Sequence, residues 1–198
     1  MRKFPKQARS RALVDSILDA AARVIASHGL AAATTARIAD QAGISIGSLY
    51  QYFDSKEDIY AAVLDRMVQH LIMLVEQQTP TSGAFSLADW VTTLLNAVWD
   101  YLAADNGLYL QVVRNWSQLD FMHGMDMLEQ KMMTVLSVYL LQHPVRPDAD
   151  LVHLPSRLYI LTNSILFTLV RYLSKPSPLV SRQSLIAEFA ALVERSLP

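Results

Sequence analysis

Thr35-Ala-Arg-Ile-Ala-Asp-Gln-Ala-Gly-Ile-Ser-Ile-Gly-Ser-Leu49 is the stretch whose reading decides the fold. Ala39 is small where two helices must cross closely. Gly43 supplies the left-handed backbone that a sharp interhelical turn needs. Ile38, Ile44 and Leu49 form a small core that fixes the angle between the helices. The pattern predicts a helix-turn-helix. Its second helix is short and carries small polar residues, which suits a major groove about 12 Å wide.

Working outward, the chain reads as helix throughout, because no segment sustains the period-two alternation of a strand. Upstream, Leu13, Ile17, Ala21, Val24 and His28 predict a helix over about 11–27, stopped by Gly29. The motif itself gives helices over about 35–42, capped by Thr34 or Thr35, and about 45–52. Downstream, Ser55-Lys56-Glu57-Asp58 fits a capping box that opens a helix through Ile59, Val63, Met67, Leu71 and Leu74. Further helices are expected over about 86–102, 109–116, 122–142, 155–174 and 182–197. Asn106-Gly107 separates the first two of these, and Pro144, Pro147, Pro176 and Pro178 break the chain later. The expected fold class is all-α, with about nine helices. A three-helix N-terminal domain, residues 1–55, precedes a helical domain, residues 56–198.

The stretch from Ile17 to Leu64 resembles the TetR family of bacterial helix-turn-helix transcriptional regulators. The residues that carry the resemblance are Ile17-Leu18-Asp19-Ala20-Ala21, Gly29, Thr34-Thr35, Ile38-Ala39, Ala42-Gly43, Ser45, Gly47, Leu49-Tyr50, Tyr52-Phe53 and Lys56-Glu57-Asp58. They recur in order over about fifty residues, whereas the rest of the chain matches only in helix count, length and an apolar last helix pair. The resemblance implies a homodimer on double-stranded DNA with a palindromic operator. Thr34 and Thr35, at a helix N-terminus, suit a phosphate contact. Lys56 suits another, and the Tyr50 and Tyr52 hydroxyls suit the DNA backbone. Arg37 can reach a phosphate or a guanine. Ser45, Ile46, Ser48 and Gln51 are the candidates for base edges and thymine methyls. Each of these residues taken alone also fits an ordinary structural role, as a cap or a core side chain.

Charge follows the same division. Net charge is −1, but residues 1–56 hold eight Lys/Arg against four Asp/Glu, and residues 57–198 hold nine against fourteen. Arg2, Lys3, Lys6, Arg9 and Arg11 crowd the start, so only the N-terminal part is expected to meet a polyanion. Cysteine is absent, which excludes disulfides and thiolate chemistry. The longest uncharged apolar run, Leu158–Val170, is too short and too polar to span a bilayer, and the N-terminus does not read as a signal peptide. A cytoplasmic protein without membrane partners is expected. The five histidines lack metal-ligand spacing, and no nucleophile elbow, Walker loop or Rossmann pattern occurs. No catalytic residue, metal or cofactor is therefore expected, and the chain does not read as an enzyme.

The C-terminal body invites two assignments. Leu158, Ile165 and Leu169 with Leu185, Phe189 and Leu192 give the last two helices apolar faces, expected to pair with a second copy as a four-helix bundle. Trp99, Trp116, Met125, Tyr139, Asn163 and Phe167 are expected to hold a small apolar or amphipathic effector, amid a run in which five of the eight methionines lie between Met122 and Met133. The function expected is a sequence-specific repressor released from its operator by that effector. The alternative is a regulator of the same fold with no small-molecule effector, acting through protein partners or DNA occupancy.

Overall fold

The computed structural model describes residues 8–80, 86–115, 119, 121–142 and 152–197. Among these residues there are eight α-helices, one 3-10 turn and no strand: α1 (Ala8–His28), the 3-10 turn (Leu30–Ala32), α2 (Thr35–Gln41), α3 (Ile46–Leu49), α4 (Lys56–Gln78), α5 (Leu87–Arg114), α6 (Met122–Gln142), α7 (Leu154–Ser174) and α8 (Arg182–Ser196). The all-α class is as expected. Arg2, Lys3 and Lys6 of the basic arm lie outside the described residues, as do Pro144 and Pro147.

The two helices expected over 86–102 and 109–116 are one, α5. Asn106-Gly107 leaves its mark as positive φ at Asp105 (49°) and Gly107 (75°), yet the helix continues through them. The helix expected over 45–52 is shorter, ending at Leu49. Its carbonyl then accepts from both Tyr52 N (3.0 Å) and Phe53 N (3.1 Å). That closing turn carries Phe53 inward, where it is fully buried.

The chain divides into two compact units, residues 1–67 with 102–121 and residues 68–101 with 122–198. The division differs from the sequence-based boundary at 55/56, because α4 and α5 each contribute one part to either unit.

In the first unit Ile17, Ala21, Val24 and Ile25 of α1 are buried, along with Ile38 and Ala39 of α2, Leu49, Phe53, and Ile59 and Val63 of α4. Ile44 is only half-buried. Arg66 of α4 reaches Asp19 of α1 at 2.8 Å and the Asp15 carbonyl at 3.3 Å.

In the second unit Val68 and Leu71 of α4 pack with Leu128 of α6, and Val98, Tyr101 and Leu166 join them. Arg182, first residue of α8, donates to Asn96 Oδ1 and Asp100 Oδ1, each at 2.9 Å, and lies 5.1 Å from the centre of the Trp99 ring. Trp99 in turn packs against Tyr172. α6 passes so close to α4 that a Cβ on Gly124 would stand 2.7 Å from a Val68 methyl. Gly124 is the third residue of α6, and alanine gains at most about 1 kcal/mol over glycine there. Overlap with a β-branched side chain that has little rotamer freedom costs about 1–3 kcal/mol. Gly124→Ala is therefore expected to lower the melting temperature. In a Val68→Ala background, where the obstructing methyl is gone, the same change should raise it. Thermal unfolding of the four variants checks the sign reversal.

Candidate nucleic-acid interface

The candidate face is built from caps. The Thr34 side chain accepts from Arg37 N at 3.3 Å and starts α2. The Ser45 side chain accepts from Ser48 N at 3.1 Å and starts α3. The Ser55 hydroxyl accepts from Asp58 N and donates to Asp58 Oδ2, both at 3.1 Å, and starts α4. Between α2 and α3 the chain reverses at Gly43, whose φ of 67° is left-handed. Gly43 N donates to Asp40 O and Ile44 N to Ala39 O, each at 3.0 Å, so the last carbonyls of α2 are satisfied as the chain turns.

With Leu49 and Phe53 facing the core, the other side of α3 faces outward. Ser45, Gly47 and Gln51 are exposed, as are Ile46 at 45% and Tyr50 at 41%. Ser48 and Tyr52 are half-buried. The structure brings the Tyr50 hydroxyl to 3.2 Å from Thr35 Oγ1, tying α2 to the end of α3. It also brings Ser45 Oγ to 2.8 Å from Ser48 Oγ. The exposed Arg37 donates to Ala32 O at 3.0 Å. Lys56 stands at the start of α4 with its ammonium 3.9 Å from Glu57, its side chain partly exposed and that of Glu57 largely so. An exposed pair at that distance contributes little to stability and leaves the cation available to a phosphate.

Sequence reasoning missed Tyr60. Its buried hydroxyl donates between Ala33 O (2.5 Å) and Leu30 O (3.1 Å), fixing the turn that leads into Thr34. Burial raises the Tyr60 pKa above the ordinary tyrosine value and the charge of Glu57 adds to the rise, so the donor proton stays in place. The only signal was its position beside Ile59 on the inward side of α4.

The structure gives the described residues expected around an effector separate surroundings. Trp99 is engaged with Arg182 and Tyr172. Met125 is buried, Tyr139 half-buried and Phe167 exposed. The Asn163 amide donates to its own helix at Tyr159 O, 3.0 Å away. Trp116 lies outside the described residues. Instead a cavity of about 30 Å³ opens in the second unit among Trp90, Val91, Met132, Leu136, Leu161, Thr162, Ile165, Leu166, Val193 and Leu197. None of the five expected residues that are described lines it. On α7 positions 161, 162, 165 and 166 line the cavity, and Asn163 and Phe167 are not among them.

The expected dimer residues divide in a similar way. Leu158, Ile165, Leu169 and Phe189 are buried within their own chain, Ile165 beside the cavity, and Leu185 and Leu192 are half-buried. The large apolar side chains that α7 exposes are Tyr159 (56%), Ile160 (60%) and Phe167 (38%).

Comparisons with known proteins agree with this geometry. The family model for bacterial regulatory proteins of the tetR family matches residues 17–63. The chain is 32% identical over 152 residues to the HTH-type transcriptional repressor KstR2 of Mycolicibacterium smegmatis, covering 74% of this chain and 73% of that protein. It is 28% identical over 124 residues to the fatty acid metabolism regulator protein of Bacillus subtilis, covering 63% and 60%. Among solved structures, the fatty acid degradation regulator FadR of Bacillus halodurans superposes with a TM-score of 0.65 at 22% identity, over 98% of this chain and 96% of that one.

Proposed function

Because the chain belongs to the tetR family of bacterial regulatory proteins, we propose that it represses transcription by occupying a palindromic operator as a homodimer, and that a small apolar or amphipathic effector releases it. It is a DNA-binding transcriptional regulator. Residues 1–55 are proposed to read DNA, and residues 56–198 to dimerise and sense. Among the described residues no helix is long and apolar enough to cross a membrane, and the reading places the protein in the cytoplasm with its DNA.

One observation carries the reading. Three capped helix starts, Thr34, Ser45 and Ser55, surround an outward face of Ser45, Ile46, Tyr50 and Gln51 held by a fully buried Leu49. Free amides at such helix starts suit phosphates, and the outward face suits base edges. The test is affinity against salt. Binding should fall by roughly 0.9 log unit per phosphate contact for each tenfold rise in salt. Lys56→Ala should weaken binding to all sequences alike and flatten that slope by about one contact. An unchanged slope with altered sequence preference would remove Lys56 from the phosphate contacts.

The effector reading moves from Trp99, Trp116, Met125, Tyr139, Asn163 and Phe167 to the cavity beside Leu136, Thr162 and Ile165. No charged residue lines that cavity, so the part of the effector held there is uncharged. Two relatives are named for fatty acid metabolism or degradation, which supports an acyl chain or similar group. A cavity of about 30 Å³ is far below the roughly 300–1,000 Å³ of a small-molecule site. An effector must therefore favour an expanded state, and it releases DNA only by its differential affinity for that state. The same small volume favours the second reading, a regulator without an effector. A thermal-shift screen with fatty acids and acyl thioesters separates them, because a ligand that binds the native state raises the melting temperature by mass action.

A further inference from the structure

Two adjacent residues of α3, Ile46 and Gly47, stand exposed on its outward side. Ile46 opens the helix with its side chain 45% exposed. A single exposed isoleucine is ordinary on a protein surface. This one, however, stands at the N-terminal end of the reading helix, where helix-turn-helix side chains meet base edges. Gly47 follows it, exposed and without the positive φ that would call for glycine. A Cβ there would meet only Ser45 Oγ, at 3.9 Å, an ordinary contact. Glycine is a poorer helix former than alanine, and nothing within the chain requires its bareness. The requirement then comes from whatever approaches the face.

The neighbouring polar groups narrow what that is. Ser45 Oγ accepts from Ser48 N and shares a hydrogen bond with Ser48 Oγ. The Tyr50 hydroxyl is shared with Thr35. Residues 45–51 contain no arginine or lysine to fork onto guanine, and Gln51 is their one amide side chain. The strongest remaining contact is apolar, and the apolar group displayed in a major groove is the 5-methyl of thymine. We propose that Ile46 and the bare backbone at Gly47 form a step that receives thymine methyl groups, so that each half-site is read chiefly through its methyls. The proposal rests on the regulator reading above and specifies which bases the same face selects.

The experiment uses the full chain. Operators are first selected from a random duplex pool, and each thymine of the selected half-site is then replaced in turn by deoxyuridine, which keeps the base pair and lacks the methyl. Wild-type affinity should fall about fourfold for each methyl that Ile46 covers. Ile46→Ala should bind the parent operator with a comparable loss and be indifferent to uracil at those positions. Gly47→Ala should melt no lower than wild type, bind the parent operator less tightly, and regain affinity on the uracil duplex, where the missing methyl makes room. A wild-type protein indifferent to every replacement, or an Ile46→Ala variant as sensitive as wild type, overturns the proposal while leaving DNA binding intact. Failure to select any sequence overturns the regulator reading, and this proposal with it.

Discussion

Gly43→Val is expected to abolish operator binding at protein concentrations where wild type saturates its site, while the second unit keeps its fold. Gly43 holds φ at 67°, a conformation that costs an L-residue about 1–2 kcal/mol and a β-branched one more. A Cβ at Gly43 would have nothing within 4 Å. The penalty is therefore backbone strain alone, with no steric clash to complicate it. The chain can relieve that strain by rotating the turn, and rotation breaks the bonds from Gly43 N to Asp40 O and Ile44 N to Ala39 O. α3 then loses its angle to α2 and Ile46 is carried away from the groove. About 2 kcal/mol of strain corresponds to roughly thirtyfold in affinity before any contact is lost. Gly43→Asn supplies the control, because asparagine visits the left-handed region readily. It should retain most of the binding. Fluorescence anisotropy on the selected operator measures both variants. Equal losses for Val and Asn would place the cause in side-chain bulk, and normal affinity for Val would remove Gly43 from the turn that positions α3.

The same turn shows why the N-terminal unit was legible. Its features are local: a cap such as Thr34 or Ser55 reveals itself within four residues, and Gly43 punctuates the chain where it must reverse. α6 was legible for a similar reason, with Pro144 and Pro147 marking a break just beyond Met122–Gln142. α5 was misread because Asn106-Gly107 is a strong local stop signal, and the helix runs through it nevertheless. The second unit resisted reading at a different level. The periodicity of α7 could identify Leu158, Leu161, Ile165 and Leu169 as one stripe without saying what covers it. The structure buries that stripe within the protomer and leaves Tyr159, Ile160 and Phe167 outside. Aromatic and methionine content likewise pointed to a cavity somewhere in this unit. Which side chains line it depends on helix rotation, and Trp90, Leu136 and Thr162 surround it where Trp99, Tyr139 and Asn163 were expected.

Those exposed side chains carry the second large effect. Ile160→Glu with Phe167→Glu is expected to give a folded monomer whose operator affinity falls by 10²–10⁴-fold. Ile160, Asn163, Ser164, Phe167 and Arg171 recur at three- and four-residue spacing along α7, a single helix face. On α8, Ala187, Glu188 and Arg195 are exposed and Ala191 and Leu192 half-buried. We propose the dimer contact on these faces, which keeps the expected helices and Leu192 and replaces the other expected residues. Both glutamates enter at positions with open access to solvent in the protomer, so neither charge is fully buried and the fold should persist. Leu169→Glu and Phe189→Glu would act differently, because both residues are already buried in their own chain. Unpaired charge there destabilises the protomer itself, and loss of dimer would only report unfolding. The magnitude follows from linkage. In a dimer the second reading helix binds its half-site intramolecularly, and that advantage amounts to about 10²–10⁴-fold. Sedimentation should show the monomer, circular dichroism its retained helix, and titration of a half-site duplex an affinity close to that of wild type. A double variant that still sediments as a dimer and binds the full operator normally would move the interface off α7, and with it the expectation of half-sites spaced by whole turns of roughly 34–36 Å.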